Sequence, residues 1–411
     1  MSLKSTDLKS SISIMEEFAE RTGLTSDAAP ERYLWTDAFA VCNYLGLSES
    51  TGRRSYVDRA LALIDQVHRT LGRHREDDPR EGWISGLSEQ EGSRHPTAGG
   101  LRIGKKLPER TPEQSFDPQR EWERDGQYFH YLVKWMHALD RTARTTGDEV
   151  FARWSRELME TASNSFVYRD RRGGLGMFWK MSIDLSNPLV PSMGQHDPLD
   201  GCVTSLQLAA TAGAMAHGDH PLREERSRLA EWSTIYSIMV KNSRLETTDP
   251  LGLGGLMCDA ARLYQLILQE DSVDSELLAE LLRASGNGME HYRGSSTLGR
   301  DPGNRLAFRE LGLSIGLLGA SWVRMNVASG DGINLGRADL EKGLAGLGDH
   351  EPLGEDILRF WMEPENQRSE SWKEHLNINS VMLATALAPE GYLVLPGVGR
   401  SEGAAPEKGP R

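Results

Sequence analysis

Residues 196–200 read His196-Asp197-Pro198-Leu199-Asp200 and open an apolar run that continues to about residue 216. Proline suits the first turn of a helix, and an aspartate directly before it suits the N-cap. The residues that follow are mainly Leu, Ala and other small side chains, which is typical of a helix buried on most sides. The pattern therefore predicts a buried helix over about 198–216 whose first turn is unusually polar.

Five other apolar helical stretches also begin with a polar or aromatic cluster. They open at Tyr33-Leu34-Trp35-Thr36-Asp37, Gln127-Tyr128-Phe129-His130, Gly255-Leu256-Met257-Cys258-Asp259, Phe308-Arg309-Glu310 and Trp372-Lys373-Glu374-His375. In chain order, a more amphipathic helix follows each of the six stretches except the last, which begins at Trp372. This alternation predicts an all-α ring of helical hairpins, in which the polar starts of the inner helices face one shared cavity.

About twelve helices are predicted, enough for six hairpins. Their ranges are 6–22, 31–46, 52–72, 126–145, 148–167, 198–216, 220–241, 253–269, 274–292, 305–328, 338–349 and 370–388, with a further helical turn at 353–362 and a short strand or hairpin at 176–184. Connections from an inner to an outer helix are short, and those back to the next inner helix are mostly long. We therefore expect the long loops to gather on one face, where such loops tend to be functional.

The helical rhythm is unbroken from residue 30 to residue 390, and no linker rich in Pro, Gly or Ser interrupts it. This continuity predicts a single domain over 1–396 that includes the N-terminal helix 6–22. Residues 397–411 are polar and rich in Gly, Pro and Ala, so we expect a disordered tail.

The six helix starts, with Trp35, Tyr128, Trp179 and Trp372 beside acids or histidines, resemble those of the (α/α)6 toroid. The resemblance is to the six-hairpin glycosidase-like superfamily, is architectural, and covers about residues 30–388. It implies an active site in the funnel at the inner-helix N-termini, and glycoside hydrolysis, sugar isomerisation or polysaccharide cleavage as the chemistry. No paired Asp-Asp stands at a helix start and the epimerase-like set of histidines is incomplete, so no family's catalytic residues are carried over.

Composition limits the partners that we expect. A formal charge of −13 and a pI near 5.4 argue against nucleic acid, because phosphate binding needs a basic face. The three cysteines lack metal-site spacing and fit a reduced compartment. No signal-peptide core or 18-residue apolar run is evident. We therefore expect a cytoplasmic protein with no metal, no cofactor and no nucleic-acid or membrane partner.

Four residues are candidates for catalysis. Asp37 and Asp200 form the predicted acid/base pair, with Glu310 in reserve and His375 as a proton-relay group. Each has a structural alternative. Asp37 in its apolar helix could be held by an arginine from a neighbouring helix, Asp200 could complement the helix dipole, and His375 could make an inter-helix hydrogen bond.

Nine residues are candidates for substrate binding. Aromatic side chains beside polar helix starts could cover the C–H face of a sugar, although aromatic residues also fill helical cores. Asp197 could instead be an N-cap, and Asp259 could simply pair with Arg262 one helical turn away. The nine are Trp35, Tyr128, His130, Trp179, His196, Asp197, Asp259, Trp372 and Asn379.

Glycoside hydrolysis of a small-molecule or oligosaccharide substrate is the leading functional hypothesis, with one carboxyl as acid and another activating water. One alternative is a sugar isomerase or epimerase, which would use His130, His196 and His375 for proton transfer. Another is a non-catalytic toroid that binds a glycan or a protein.

Overall fold

The computed structural model describes residues 7–111, 113–215, 220–270, 273, 275–294, 297–328 and 337–397. The α-helices in this part of the chain are α1 (Leu8–Arg21), α2 (Leu34–Thr51), α3 (Ser55–Leu71), α4 (Glu89–Arg94), α5 (Pro118–Glu123), α6 (Phe129–Thr146), α7 (Glu149–Phe166), α8 (Asp197–Met215), α9 (His220–Lys241), α10 (Pro250–Gln269), α11 (Ser275–Arg293), α12 (Ala307–Ala328), α13 (Arg337–Gly348), α14 (Glu351–Met362), α15 (Glu370–Glu374), α16 (Leu376–Leu387) and α17 (Glu390–Leu393).

Six helices form a closed inner ring. In order around the ring, α2 packs on α6, α6 on α8, α8 on α10, α10 on α12, α12 on α16, and α16 on α2. These are the six stretches whose polar starts were identified in the sequence. The ring closes because the last inner helix returns to the first.

An outer helix covers each inner helix. The pairs are α3 on α2, α7 on α6, α9 on α8, α11 on α10 and both α13 and α14 on α12, while α1 from the beginning of the chain packs on α16. This arrangement is an (α/α)6 toroid, so the predicted fold class and the architectural resemblance are confirmed. Most of the helices beyond the expected twelve are short ones in connections, while the turn expected at 353–362 is the three-turn helix α14.

Helix α2 illustrates the burial of the inner ring, because protein covers all of its sides. Every residue of α2 from Leu34 to Leu47 is buried, as expected for a helix with neighbours on each side and an outer helix behind it. Close approach also requires small residues. Gly254 on α10 faces Gly312 and Gly316 on α12 so tightly that a Cβ atom there would overlap the Gly312 carbonyl.

Helix α12 also has the length and apolar composition of a membrane span, and it is alone in this among the described residues. In the fold it is an inner helix that packs against α10, α14 and α16. Its place in the ring accounts for its apolar character.

The two longest connections meet at the start of α6. Five short strands lie in them: β1 (Gln127–Tyr128), β2 (Val167–Arg169), β3 (Leu175–Met177), β4 (Lys180–Met181) and β5 (Pro188–Val190). Strands β2 and β3 pair with each other, and β4 lies between β1 and β5, all antiparallel. Gln127 donates from Nε2 to the carbonyls of Gly99 and Ile183 and accepts at Oε1 from the Leu101 amide. The strand or hairpin predicted at 176–184 is therefore present as two short strands.

The helix predicted over 370–388 is interrupted, and that part of the prediction is wrong. Its first turn is α15, its remainder is α16, and His375 between them has non-helical φ and ψ of −117° and 30°. The Trp372 carbonyl has lost the i+4 backbone donor of a regular α-helix. It accepts instead from the side-chain Nδ2 of Asn379 at 3.0 Å and from the backbone amide of His375 at 3.2 Å. The tail predicted to be disordered lies outside the described residues from residue 398 onward.

Candidate active site

Helices α6 and α8 are neighbours in the inner ring, and their first turns bring His130 and Asp197 face to face. His130 Nδ1 lies 3.8 Å from Asp197 Oδ1, which is too far for a hydrogen bond. Within the described chain neither His130 Nδ1 nor Asp197 Oδ2 has a hydrogen-bond partner, although both atoms are buried. A buried polar atom without a hydrogen-bond partner is costly, so these two atoms are candidates for contact with a ligand.

A second pair lies one helical turn further along the same two helices. Lys134 follows His130 by four residues, Asp200 follows Asp197 by three, and Lys134 Nζ donates to Asp200 Oδ1 at 2.8 Å. Residues with these spacings share a helical face. The four side chains form a two-step ladder between α6 and α8, which we call the polar ladder. We call the pair His130 and Asp197, which no hydrogen bond joins, the open step. We call the pair Lys134 and Asp200, which an ion pair joins, the closed step.

Burial sets the protonation states of the open step. It raises the pKa of Asp197 to about 8, with the negative charge of Asp200 adding to the effect. It lowers the pKa of His130 to about 4, because little compensates for the loss of water around an imidazolium. At neutral pH His130 is therefore a neutral base and Asp197 a protonated acid.

The closed step keeps a charged carboxylate. Burial would raise the pKa of Asp200, but the charge and hydrogen bond of Lys134, with Arg262 beyond it, hold that pKa below its usual value. Asp200 also shares a hydrogen bond with Asp259, whose pKa burial and the Asp200 charge raise to about 6. The two adjacent carboxyls therefore share one proton below about pH 6.

Beyond Asp259 the network continues toward the opposite end of the ring. Arg262 donates to Asp259 at 2.9 Å and to Gln207 Oε1 at 2.7 Å. His137 Nδ1 lies 3.1 Å from the same Gln207 oxygen, and its Nε2 lies 3.0 Å from the Tyr392 carbonyl. These contacts join helices α6, α8, α10 and α17, so they fix the helices that carry the polar ladder.

Aromatic rings surround His130. The ring of Tyr131 lies 4.8 Å from that of His130, Tyr128 lies at 5.2 Å and Trp179 at 6.3 Å. The Tyr131 hydroxyl is 2.6 Å from the hydroxyl of Tyr33. We call Tyr128, Tyr131 and Trp179 the aromatic wall. Flat rings beside hydroxyl groups suit a ligand with both C–H and O–H surfaces.

Asp37 and Glu310 each have a buried cation of their own. Asp37 accepts from Arg32 at 3.4 Å and from the Tyr33 amide at 2.9 Å, and burial raises its pKa to about 6. Glu310 accepts from Arg305 at 2.6 Å and from Trp361 Nε1 at 2.8 Å. None of these partners bonds to the polar ladder, so the structure does not bring the predicted pair Asp37 and Asp200 into one hydrogen-bonded group.

The candidates around α15 and α16 form a separate cluster. Trp372 stacks on Trp361 at 5.7 Å and is buried, and Asn379 Oδ1 accepts from the Phe308 amide at 3.0 Å. His375 is exposed and its ring meets the edge of Phe308 at 5.7 Å. These residues hold the start of α12 against α16.

The remaining candidates lie at or near the polar ladder. Trp35 packs on Phe39 at 4.4 Å and approaches Tyr131 at 6.5 Å. His196 Nε2 lies 2.8 Å from the Leu245 carbonyl, which ties the start of α8 to the loop before α10. Asp197 is the first residue of α8 itself. Its Oδ2 atom accepts no hydrogen bond from any described residue.

Two members of the site were not predicted from the sequence, namely Lys134 and Tyr131. Their signal was present, because Lys134 stands at i+4 from His130 and Tyr131 directly follows it. Cys42, Cys202 and Cys258 are buried thiols. In the described ranges, no group of three or more His, Cys, Asp or Glu side chains is arranged to hold a metal ion.

Comparison with known proteins finds no matching family model and no matching curated protein. Among solved structures, a sugar epimerase from a ruminal bacterium matches with a TM-score of 0.46 and 11% identity over 86% of this chain and 87% of that one. The cellobiose 2-epimerase of Spirochaeta thermophila matches with a TM-score of 0.44 and 12% identity over 87% of this chain and 86% of that one.

Proposed function

We propose that the protein is an enzyme that acts on a small-molecule sugar by proton transfer, as an isomerase or epimerase. His130 would be the general base and Asp197 the general acid. The observation that carries the proposal is the open step of the polar ladder, where a neutral imidazole and a protonated carboxyl face each other and neither His130 Nδ1 nor Asp197 Oδ2 has a hydrogen-bond partner among the described residues. Two groups whose surroundings drive their pKa values apart are typical of acid and base roles.

The chemistry follows from these protonation states. In the open-chain form of a reducing sugar, the carbon next to the carbonyl carries a removable proton. His130 would take that proton while Asp197 gives its own to the carbonyl oxygen, which leaves an enediol, an imidazolium and a carboxylate. The imidazolium then gives a proton back to carbon, to the other face of the same carbon for the epimer or to the former carbonyl carbon for the isomer. The Asp197 carboxylate takes a hydroxyl proton from the enediol as the new carbonyl forms, so both catalytic groups regain their starting states.

The surroundings of His130 support a sugar as the substrate. The aromatic wall presents flat apolar surface beside the base, and the paired hydroxyls of Tyr33 and Tyr131 offer hydrogen bonds at the same place. A pyranose or its open chain alternates C–H and O–H groups, so it complements both kinds of surface. A purely apolar ligand would leave His130 Nδ1 and Asp197 Oδ2 without hydrogen-bond partners.

Solvent exchange tests the proposal directly. The protein would be incubated in D2O with a panel of reducing sugars, and proton NMR would follow loss of the signal from the carbon next to the carbonyl. We expect deuterium incorporation together with the epimer or ketose. A panel that shows neither incorporation nor any new sugar would overturn the proposal.

Glycoside hydrolysis is a second candidate, and one observation favours it. Asp197 and Asp200 are one helical turn apart, the first protonated and the second ionised at neutral pH, as an acid and its partner carboxylate would be. The same incubation separates the two reactions. Hydrolysis releases new reducing ends from an oligosaccharide without exchange of a carbon-bound proton, whereas proton transfer exchanges that proton and leaves the glycosidic bond intact.

A further inference from the structure

Lys105 is a half-buried cation whose ammonium donates to the Trp122 carbonyl. In the described ranges of the chain it makes no ion pair, and Asp125 and Glu123 attract it only from a distance. The side chain lies in the loop between α4 and α5, and burial lowers its pKa to about 8. An ammonium that loses water without gaining a carboxylate is unfavourable, and an incoming anion would remove that cost.

The nearby carboxylates are engaged elsewhere. Glu121 is 2.9 Å from Lys180 Nζ and 3.1 Å from Arg110, and Asp125 lies between Arg75 and Arg102 at 3.3 and 2.9 Å. Glu123 is exposed and makes no ion pair with Lys105. Lys105 and Lys180 both lie near the Tyr128 ring, and of these two ammonium groups only that of Lys180 makes an ion pair among the described residues. The unpaired charge of Lys105 contrasts with the net charge of −13 of the whole chain.

This positive region adjoins the proposed active site. The ring centroid of Tyr128 is 5.9 Å from Lys105 Nζ, 5.5 Å from Lys180 Nζ and 5.2 Å from the His130 ring. The base and the two ammonium groups are therefore neighbours of the same buried ring. The charge of Lys105 also acts on the His130 imidazole, so a sugar whose reacting carbon lies at His130 would bring its far end within range of Lys105.

We propose that the substrate is an anionic sugar whose negatively charged group, a phosphate or a carboxylate, binds the ammonium of Lys105. The inference rests on the proposed function and adds the charge class of the substrate. Both groups present oxygen acceptors to an ammonium donor, and charge-assisted hydrogen bonds of this kind are the strong ones. Lys180 and Arg110 would add attraction at longer range.

The test compares one sugar in three charge states. Glucose, glucose 6-phosphate and glucuronate would be assayed for solvent exchange with the unaltered protein, Lys105→Met, Lys105→Arg and the exposed neighbour control Lys106→Met. We expect KM for at least one anionic sugar to be about tenfold or more below that for glucose. Lys105→Met should raise the KM for that anionic sugar toward the value for glucose, Lys105→Arg should restore part of the advantage, and Lys106→Met should have no effect. The two anions reveal which group is bound.

Each outcome decides between the two proposals. If glucose is exchanged with the same KM as both anionic sugars, or if Lys105→Met impairs all three equally, the anion site is refuted while proton-transfer chemistry stands. If no sugar is exchanged, the proposed function fails, and calorimetric titration with inorganic phosphate then tests the site alone. Binding that Lys105→Met abolishes would support an anion site, and absence of binding would overturn it.

Discussion

His130 Nδ1 lies 3.8 Å from Asp197 Oδ1, and no hydrogen bond joins the two residues. Elsewhere on the same two helices, Lys134 and Asp200 make a close ion pair at 2.8 Å. The ion pair fixes how the helices face each other, so the gap between His130 and Asp197 is held open by the fold. We expect the open step to be where the substrate binds and the closed step to be its support.

The pH dependence of turnover should be bell-shaped. Activity requires neutral His130, whose pKa is lowered to about 4, and protonated Asp197, whose pKa is raised to about 8. The kcat/KM for solvent exchange should therefore rise with pH through the first value and fall through the second. Measurement from about pH 3 to about pH 10 checks this, and a rate that keeps rising above pH 8 would contradict the role of Asp197 as the acid.

Asp197→Asn should make the protein more stable while abolishing exchange. The folded protein holds the Asp197 proton up to about pH 8, whereas the unfolded chain releases it near pH 3.8. Because Asp197 ionises in the unfolded chain but not in the folded protein, the free energy of unfolding falls as pH rises between these two values. The asparagine variant has no proton to lose at this position, so its free energy of unfolding does not fall for this reason. Urea unfolding should show a gain on the order of a few kcal/mol at pH 8 that shrinks toward pH 4. A gain that does not change with pH would argue against a protonated Asp197.

Lys134→Met should be strongly destabilising. It leaves Asp200 and Asp259 as adjacent buried carboxyls with one cation fewer, and breaking a buried ion pair from one side typically costs about 3–5 kcal/mol. Adding Asp200→Asn should recover part of the loss, because one buried charge is then removed. Chemical unfolding measures both variants, with Lys373→Met at an exposed site as the control. Equal stability of Lys134→Met and its control would be inconsistent with a closed step that supports the site.

Glu310→Gln should affect stability more than catalysis. The glutamate accepts from both Arg305 and Trp361 in a buried cluster, so its neutralisation leaves the Arg305 charge without its partner at a cost of about 3–5 kcal/mol. Exchange per folded molecule should remain within a few fold of the unaltered protein. A folded variant with no exchange would instead support the catalytic role that the sequence suggested for Glu310.

The ring could be predicted from sequence because burial leaves a clear signal. Helix α2 carries no exposed face from Leu34 to Leu47, so apolar residues appear at every angle, while an outer helix such as Ser55–Leu71 shows one apolar stripe. The interruption at His375 had no such signal. The residues on both sides of it favour a helix, and the Asn379 hydrogen bond that replaces the missing helical one connects positions distant along the helix.

The site was predicted less completely, because its contacts cross between helices. His130 and Asp197 were visible as polar starts of apolar helices, but their opposition depends on α6 and α8 being neighbours in the closed ring. Lys134 looked like an ordinary polar residue for the same reason. The structural alternative for Asp37 was an arginine from a neighbouring helix. The arginine that Asp37 contacts is Arg32, which lies in the segment that leads into the same helix.

The most direct measurement compares solvent exchange into a reducing sugar by two histidine variants. His130→Gln removes the proposed base, and His375→Gln alters an exposed histidine that the sequence also suggested. With circular dichroism confirming that both fold, the account predicts a loss of about 100-fold or more for His130→Gln and little change for His375→Gln. Full exchange by His130→Gln, or its loss only in His375→Gln, would contradict it.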